Sequence, residues 1–225
     1  TLARVADFID KTRAMVRGEE VSYGDIPASV KFPWAVGHEM PSWIAAYGPL
    51  ALKTAGQHAD GVVLQLADPG LCKWFTDQCL DAGKAAGRDM TKFRSMAAAP
   101  AYFGDKARAI EATKWFPAMV GNHVADIVEK YGADNEQIPR SLTSYIEKRR
   151  GYDYSKHGQS DNPFLDFITP DVVENFCVLG EPEEHIAKMH ALKEAGITQF
   201  NIYLDSGDEE EIIAGYGRHV IPAFR

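Results

Sequence analysis

The sequence predicts an α/β fold built on parallel strands, and three observations carry that expectation. Short apolar runs alternate with stretches of helical periodicity along most of the 225 residues, the pattern of helices packed on a mostly parallel sheet. Ser42 to Tyr47, the Gly48-Pro49 turn, the helix formers up to Gly56 and the run Val62 to Leu66 compose one βαβ unit, which implies a right-handed crossover. Further strand candidates at Phe93 to Ala99 and Gln199 to Leu204 each follow a helical segment. Both an open doubly wound sheet and a barrel satisfy this pattern.

Leu2, Val5, Ile9, Thr12 and Val16 recur at helical spacing, and Gly18 closes the first helix. The chain starts at Thr1 already inside that helix, so we expect an upstream part to exist. Glu20 to Tyr23 and Ser29 to Phe32 flank Gly24-Asp25-Ile26-Pro27 and predict a small hairpin or irregular excursion. Trp34, Trp43 and Trp74 are expected to pack in the core or at its rim.

The stretch from Ser42 to Tyr47 is too brief for a helix and is bounded by Pro41 and Gly48-Pro49, which marks a buried strand. Pro49 suits the first position of a helix, where its missing N–H costs nothing, and Gly56 is expected to stop that helix. The N–H groups around Tyr47, Gly48 and Leu50, at the positive end of the helix, form a natural seat for a phosphate. The plain alternative is that Gly48-Pro49 only turns the chain.

Asp68 and Pro69 start a helix from about Leu71 to Ala86, ended by Gly87. The alanines near the end of the next strand, Ala97, Ala98 and Ala99, either leave room for a bulky ligand or serve tight helix packing. Asp105 caps a long helical region broken or kinked at Pro117. Within it Asn122 and His123 are polar residues in an apolar run, and they are candidates for lining a site. The polar, aromatic loop from Gly151 to Pro163, with Tyr154 and His157, is longer than ordinary connections, which favours a binding loop or lid.

Thr169-Pro170-Asp171 starts another short helix, and Phe176 to Gly180 is a brief apolar segment. Glu181, Glu183 and Glu184 load acid at the start of the following helix, as its dipole prefers. Ile186, Met189, Leu192 and Ala195 form its expected apolar face. His185 and His190 are five apart, off the one-turn spacing of paired metal ligands, and are expected on the surface. Asp208 to Glu211 is expected to be a solvated helix start rather than a metal site.

Composition narrows the function. With 45% hydrophobic residues the chain can bury a substantial core. A net charge of −8 and a pI near 5.4 argue against nucleic acid or an anionic membrane surface as general partners. No apolar run reaches the length of a membrane span and no signal peptide is evident, so the simplest location is the cytoplasm. Cys72, Cys79 and Cys177 are odd in number and lack CxxC spacing, which favours reduced thiols. Walker A, GxGxxG, GxSxG and HExxH patterns are all absent, disfavouring P-loop phosphoryl transfer, Rossmann dinucleotide binding and elbow-serine hydrolysis.

Trp43-Ile-Ala-Ala-Tyr-Gly-Pro49 with Ala51-Leu-Lys-Thr-Ala-Gly56 and Ala59-Asp-Gly-Val-Val63 resembles the fifth and sixth strands of the luciferase-like monooxygenase superfamily. Phe176-Cys-Val-Leu-Gly-Glu-Pro-Glu-Glu-His185 with Ala195-Gly-Ile-Thr-Gln-Phe-Asn-Ile-Tyr203 resembles its approach to the eighth strand. Within that superfamily the chain is most similar to the coenzyme F420-dependent, methylenetetrahydromethanopterin reductase-like branch. The resemblance implies a (β/α)8 TIM barrel with an insertion after the seventh strand. Residues 1–225 would be the C-terminal part of that single domain, the N-terminal strands missing, with the helical and loop insertion at 105–170. Half a barrel should leave an apolar sheet edge or face exposed.

The same resemblance implies an oxidoreductase moving hydride between coenzyme F420 and a small organic substrate, with FMN-dependent oxygen incorporation as the alternative. A non-catalytic anion-binding or scaffold fragment is the reading from another class. Ala45, Ala46, Tyr47, Gly48 and Pro49 would hold the ribityl-phosphate side of the cofactor, with Gln65 and Leu66 nearby. Asn122, His123, Tyr154 and His157 are the substrate-side candidates, and His123 and His157 the candidate proton donors. No metal is expected, and a homo-oligomer is compatible with the reading.

Overall fold

Strands that the sequence separates by helices pair in parallel, as short βαβ connections require. The computed structural model describes residues 1–22, 24, 28–35, 37–121, 123, 168–205 and 207–225. The chain groups into two units, 1–63 with 77–94 and 64–76 with 95–225.

The first unit opens with α1 (Leu2–Val16), after which Gly18 takes φ 79, a left-handed conformation that ends a helix cheaply only at glycine. β1 (Val21–Ser22) and β2 (Ser29–Val30) form the expected hairpin, with Val21 opposite Val30. β3 (Trp43–Ala45) and β4 (Gly61–Leu64) are parallel, Trp43 opposite Gly61 and Ala45 opposite Val63, with α2 (Pro49–His58) as the crossover. Asp60 ties this unit together. Its carboxylate accepts from the Ser42 N–H at 2.8 Å and is paired with Arg13 of α1.

Gly56 does not stop α2, which continues to His58. A Cβ on Gly56 would lie 2.1 Å from the carbonyl oxygen of Cys79 in α3 (Pro69–Ala85). Close helix approach, not termination, is why the residue is glycine. Trp34 also departs from expectation: it is 76% exposed and stacks on Phe32 with ring centroids 5.2 Å apart.

In the second unit α3 begins as foreseen, with Asp68 Oδ1 accepting from the Leu71 N–H at 2.9 Å. β5 (Arg94–Phe103) runs past the expected end at Ala99 and through Pro100. It pairs in parallel with β7 (Gln199–Tyr203) from Met96 to Pro100, then with β6 (Val178–Gly180) from Ala101 to Phe103. The missing N–H of Pro100 thus falls where the ladder changes partner, so the strand survives a residue that would break a continuous one. β6 is a strand within the apolar segment from Phe176 to Gly180. Ala97, Ala99 and Ala101 are almost wholly buried within the protein, which favours the tight-packing account of the alanines.

Asp105 caps α4 (Lys106–Thr113) by accepting from the Arg108 N–H at 2.8 Å. The helix breaks at Lys114 rather than Pro117, and helical residues resume over 115–121. Pro117 therefore sits in a first turn, where no N–H is required of it. Most of the expected insertion lies outside the described residues.

α5 (Pro170–Phe176), α6 (Pro182–Glu194) and α7 (Glu209–Gly215) follow, then a π turn at Tyr216–Val220 and a 3-10 turn at Ile221–Phe224. Glu184 accepts from the Glu181 N–H at 2.8 Å at the start of α6, so the acidic first turn satisfies an orphan donor. His185 corrects the sequence reading: it is fully buried, while His190 is exposed. The face that α6 turns inward runs through His185 and Leu192. The imidazole is tolerated there because both its nitrogens have partners, the Tyr216 hydroxyl and the Tyr102 carbonyl.

Phe200 and Ile202 of β7, with Leu192, Ile213, Ile221 and Phe224, line an apolar groove of about 890 Å³. No described helix is long and apolar enough to cross a membrane.

Candidate functional site

In the first unit the candidate site is the turn from β3 into α2. Ala45 ends the strand, Ala46 and Tyr47 are buried, and Gly48 is the N-cap with φ −79 and ψ 150. Pro49 begins the helix, and no side chain caps it. The Gly48 carbonyl accepts from the Leu52 N–H at 2.9 Å, so the helical ladder starts there. First-turn N–H groups have no carbonyl one turn earlier in their own helix, and Pro49 has no N–H at all. The donors at this end therefore come from Leu50 and Ala51, on a helix of 10 residues whose dipole favours an anion. Sequence places no Lys or Arg between Lys31 and Lys53.

The extended backbone of Gly48 is open to residues other than glycine. At φ −79 any L-residue is allowed, and an extended residue before proline is the favoured state. The backbone at this position therefore does not itself require glycine.

Gln65 and Leu66 belong to the second unit. Leu66 is sealed from solvent, and its carbonyl accepts from the Cys72 thiol at 3.6 Å. Its side chain therefore presents no surface to a ligand. The Gln65 amide nitrogen donates to the Tyr203 hydroxyl oxygen at 2.8 Å. Phe116 packs beside the Tyr203 ring with centroids 5.6 Å apart and planes at 50°. Gln65 follows β4 and Tyr203 ends β7, so this cluster sits at C-terminal ends of parallel strands, where sites of such sheets are built.

Local sequence pattern singles out neither Tyr203 nor Phe116. An available signal was position: Tyr203 is the last residue of a strand in a parallel sheet. His123 is helical and half-buried. Asn122, Tyr154 and His157 lie outside the described residues. Among the described residues no group of His, Cys, Asp and Glu is arranged to hold a metal.

The three thiols are buried. Burial pushes Cys79 and Cys177 up to about 12, and Cys72 further still. Lys188 of α6 donates to the Glu174 and Asn175 carbonyls at the end of α5 at 3.1 and 3.0 Å, and burial lowers its pKa. These groups brace helices; their chemistry is that of a packed interior.

Residues 1–199 match the family described as luciferase-like monooxygenase. The chain is 30% identical over 194 residues to the 5,10-methylenetetrahydromethanopterin reductase of Methanopyrus kandleri, covering 84% of this chain and 52% of that protein. It is 25% identical to the same-named reductase of Archaeoglobus fulgidus, over the whole chain and 67% of that protein. It thus spans about half the length of the first relative and two thirds of the second. The solved coenzyme F420-dependent tetrahydromethanopterin reductase from Methanopyrus kandleri covers all of this chain with TM-score 0.67 at 23% identity, and 64% of its own chain is matched. An F420-dependent secondary alcohol dehydrogenase in complex with an F420-acetone adduct gives TM-score 0.66 at 18% identity. At these identities the structures establish a shared fold.

Proposed function

This chain belongs to the luciferase-like monooxygenase family, and from that premise we propose that the protein it is part of is an oxidoreductase passing hydride between coenzyme F420 and a small organic substrate. The parallel strands β3, β4, β5 and β7 are, on this reading, later strands of a (β/α)8 barrel, with residues 105–170 as an insertion. The parallel pairing of β3 with β4 and of β5 with β7 supports it.

The observation that carries the reading is the turn from Ala46 to Pro49. A helix end without a capping side chain, fronted by glycine, offers main-chain donors and room for a phosphate. The donor set fits the phosphate-bearing tail of a deazaflavin or flavin nucleotide. Bound there, the cofactor would supply the hydride chemistry. The protein's part is to fix the tail with the Leu50 and Ala51 N–H groups, to orient the ring, and to keep water from the strand ends.

Relatives named for F420, such as the F420-dependent glucose-6-phosphate dehydrogenase of Nakamurella multipartita, 22% identical over 192 residues, support the choice of cofactor. FMN remains the competing cofactor because its phosphate would use the same donors. The test is titration of the full-length protein with F420 and with FMN, followed by an oxygen-consumption assay of the loaded enzyme. Tight F420 binding without oxygen uptake is the expected result. FMN binding with oxygen uptake would establish monooxygenation instead, and binding of neither would leave a non-catalytic scaffold.

A further inference from the structure

The groove of about 890 Å³ lies wholly within the second unit, between α6, the C-terminal turns and one face of β7. Its volume falls in the range of small-molecule sites, roughly 300 to 1,000 Å³. Alternation along β7 turns Phe200 and Ile202 into it as a floor. Met189 and Leu192 of α6 contribute one wall, and Ile213 and Ile221 of the C-terminal segment another.

The two ends of the groove differ in chemistry. Beside the first turn of α6, the Tyr216 ring lies against His185 with centroids 5.5 Å apart, and its hydroxyl is bound to that imidazole at 3.1 Å. Tyr216 therefore offers the groove carbon rather than oxygen. The last turn of α6 carries Lys193, about 12 Å of helix rise away. There Phe224 packs on His190 with centroids 4.6 Å apart, which brings the adjoining Arg225 to the end of the groove that holds Lys193.

Among the described residues, the charged members of the lining are Lys193 and Arg225, both cationic in a chain of 32 acidic and 24 basic residues. Neither is in an ion pair among the described residues. Nor are they required to cap α6, because the Ala191, Leu192 and Lys193 carbonyls accept from the Ala195, Ile197 and Gly196 N–H groups, with Gly196 at φ 92. Both charges remain available to a ligand.

We propose that this groove binds an unbranched aliphatic monocarboxylate of medium chain length, its chain over Phe200 and Ile202 toward Tyr216 and its carboxylate on Lys193 and Arg225. Charge complementarity selects an anion, and the placing of both cations at one end selects an amphiphile. The site shares no residue with the phosphate turn and does not depend on the cofactor reading.

The test is calorimetric titration of full-length protein with decanoate, octanoate and decanol. Decanoate is expected to bind at one equivalent, and octanoate about 15-fold more weakly, at about 4-fold per methylene. Decanol, lacking the charge, should bind more weakly than decanoate. Lys193→Ala combined with Arg225→Ala should raise Kd for decanoate about 10-fold and leave decanol unchanged. Ile213 is 58% exposed, so Ile213→Glu should fold, and its carboxylate should abolish decanoate binding where Ile213→Gln retains it. Decanoate affinity indifferent to the double variant and to Ile213→Glu would overturn the proposal. Absence of decanoate binding would overturn it too: a dimer that Ile213→Glu dissociates would give the groove to a second copy, and an unchanged mass would give it to another part of the same polypeptide.

Discussion

The Tyr216 hydroxyl donates to Nδ1 of His185 across 3.1 Å, in a layer where both side chains are buried. The direction follows from the other nitrogen. Nε2 lies 3.2 Å from the Tyr102 carbonyl, which can only accept, so Nε2 carries the proton and Nδ1 must receive one. Phe103 stacks on the imidazole with centroids 4.1 Å apart, leaving the ring no access to water.

A pH dependence follows. Burial lowers the His185 pKa to about 4, against bonds to Tyr102 and Gly180 and the neighbouring Glu184, which pull it up. The unfolded chain binds this proton near pH 6.5, so between those values the unfolded state holds more protons. The stabilisation is complete above about pH 6.5 and is lost as pH falls toward 4, on the order of 3 kcal/mol in all. Urea unfolding of wild type and His185→Gln at pH 7 and pH 4.5 measures it. The variant should be less stable at pH 7 and lose less on acidification; parallel losses would contradict the assignment.

Gly56→Ala should destabilise the protein although alanine favours helix by about 1 kcal/mol. The new methyl would meet the Cys79 carbonyl at 2.1 Å, and Gly83 nearby has no more room, its own Cβ position lying 2.8 Å from the Gly56 carbonyl. Separating α2 from α3 is expected to cost roughly 2 to 4 kcal/mol net. Thermal or denaturant unfolding reads the sign, and a stabilised variant would refute the close approach.

Cys72, Cys79 and Cys177 should resist a thiol reagent at pH 8 in the native protein and all react in denaturant. Each is buried, and each thiol is pushed up by that burial, so the nucleophilic thiolate is scarce as well as inaccessible. Rapid labelling of any of them without unfolding would show that α3 or the α5–β6 junction opens.

Much of this was legible from local pattern. The β3–α2–β4 unit, the caps at Asp68 and Asp105 and the last strand all follow from features within a few residues of themselves. The misreadings share a cause, because tertiary partners decided them. Gly56 reads as a stop until the Cys79 carbonyl is placed above it, and Pro100 reads as a strand end until β5 is seen to exchange β7 for β6. His185 reads as a surface residue until Tyr216, 31 positions away, supplies its partner. Tyr203 is inconspicuous in the sequence for the same reason, since its donor Gln65 is 138 positions away. A turn from a strand into a helix is local and can be read from sequence; side-chain pairs across a sheet are not.

The most direct test of the account is F420 affinity in the full-length protein carrying Gly48→Val. Because Gly48 already has φ −79 and ψ 150, valine fits the backbone and far-UV circular dichroism should match wild type. The prediction is that its branched side chain obstructs a phosphate at the Leu50 and Ala51 N–H groups. We expect Kd for F420 to rise roughly 5- to 150-fold, the equivalent of about 1 to 3 kcal/mol. Unchanged affinity for both F420 and FMN in a folded variant would show that the phosphate is held elsewhere.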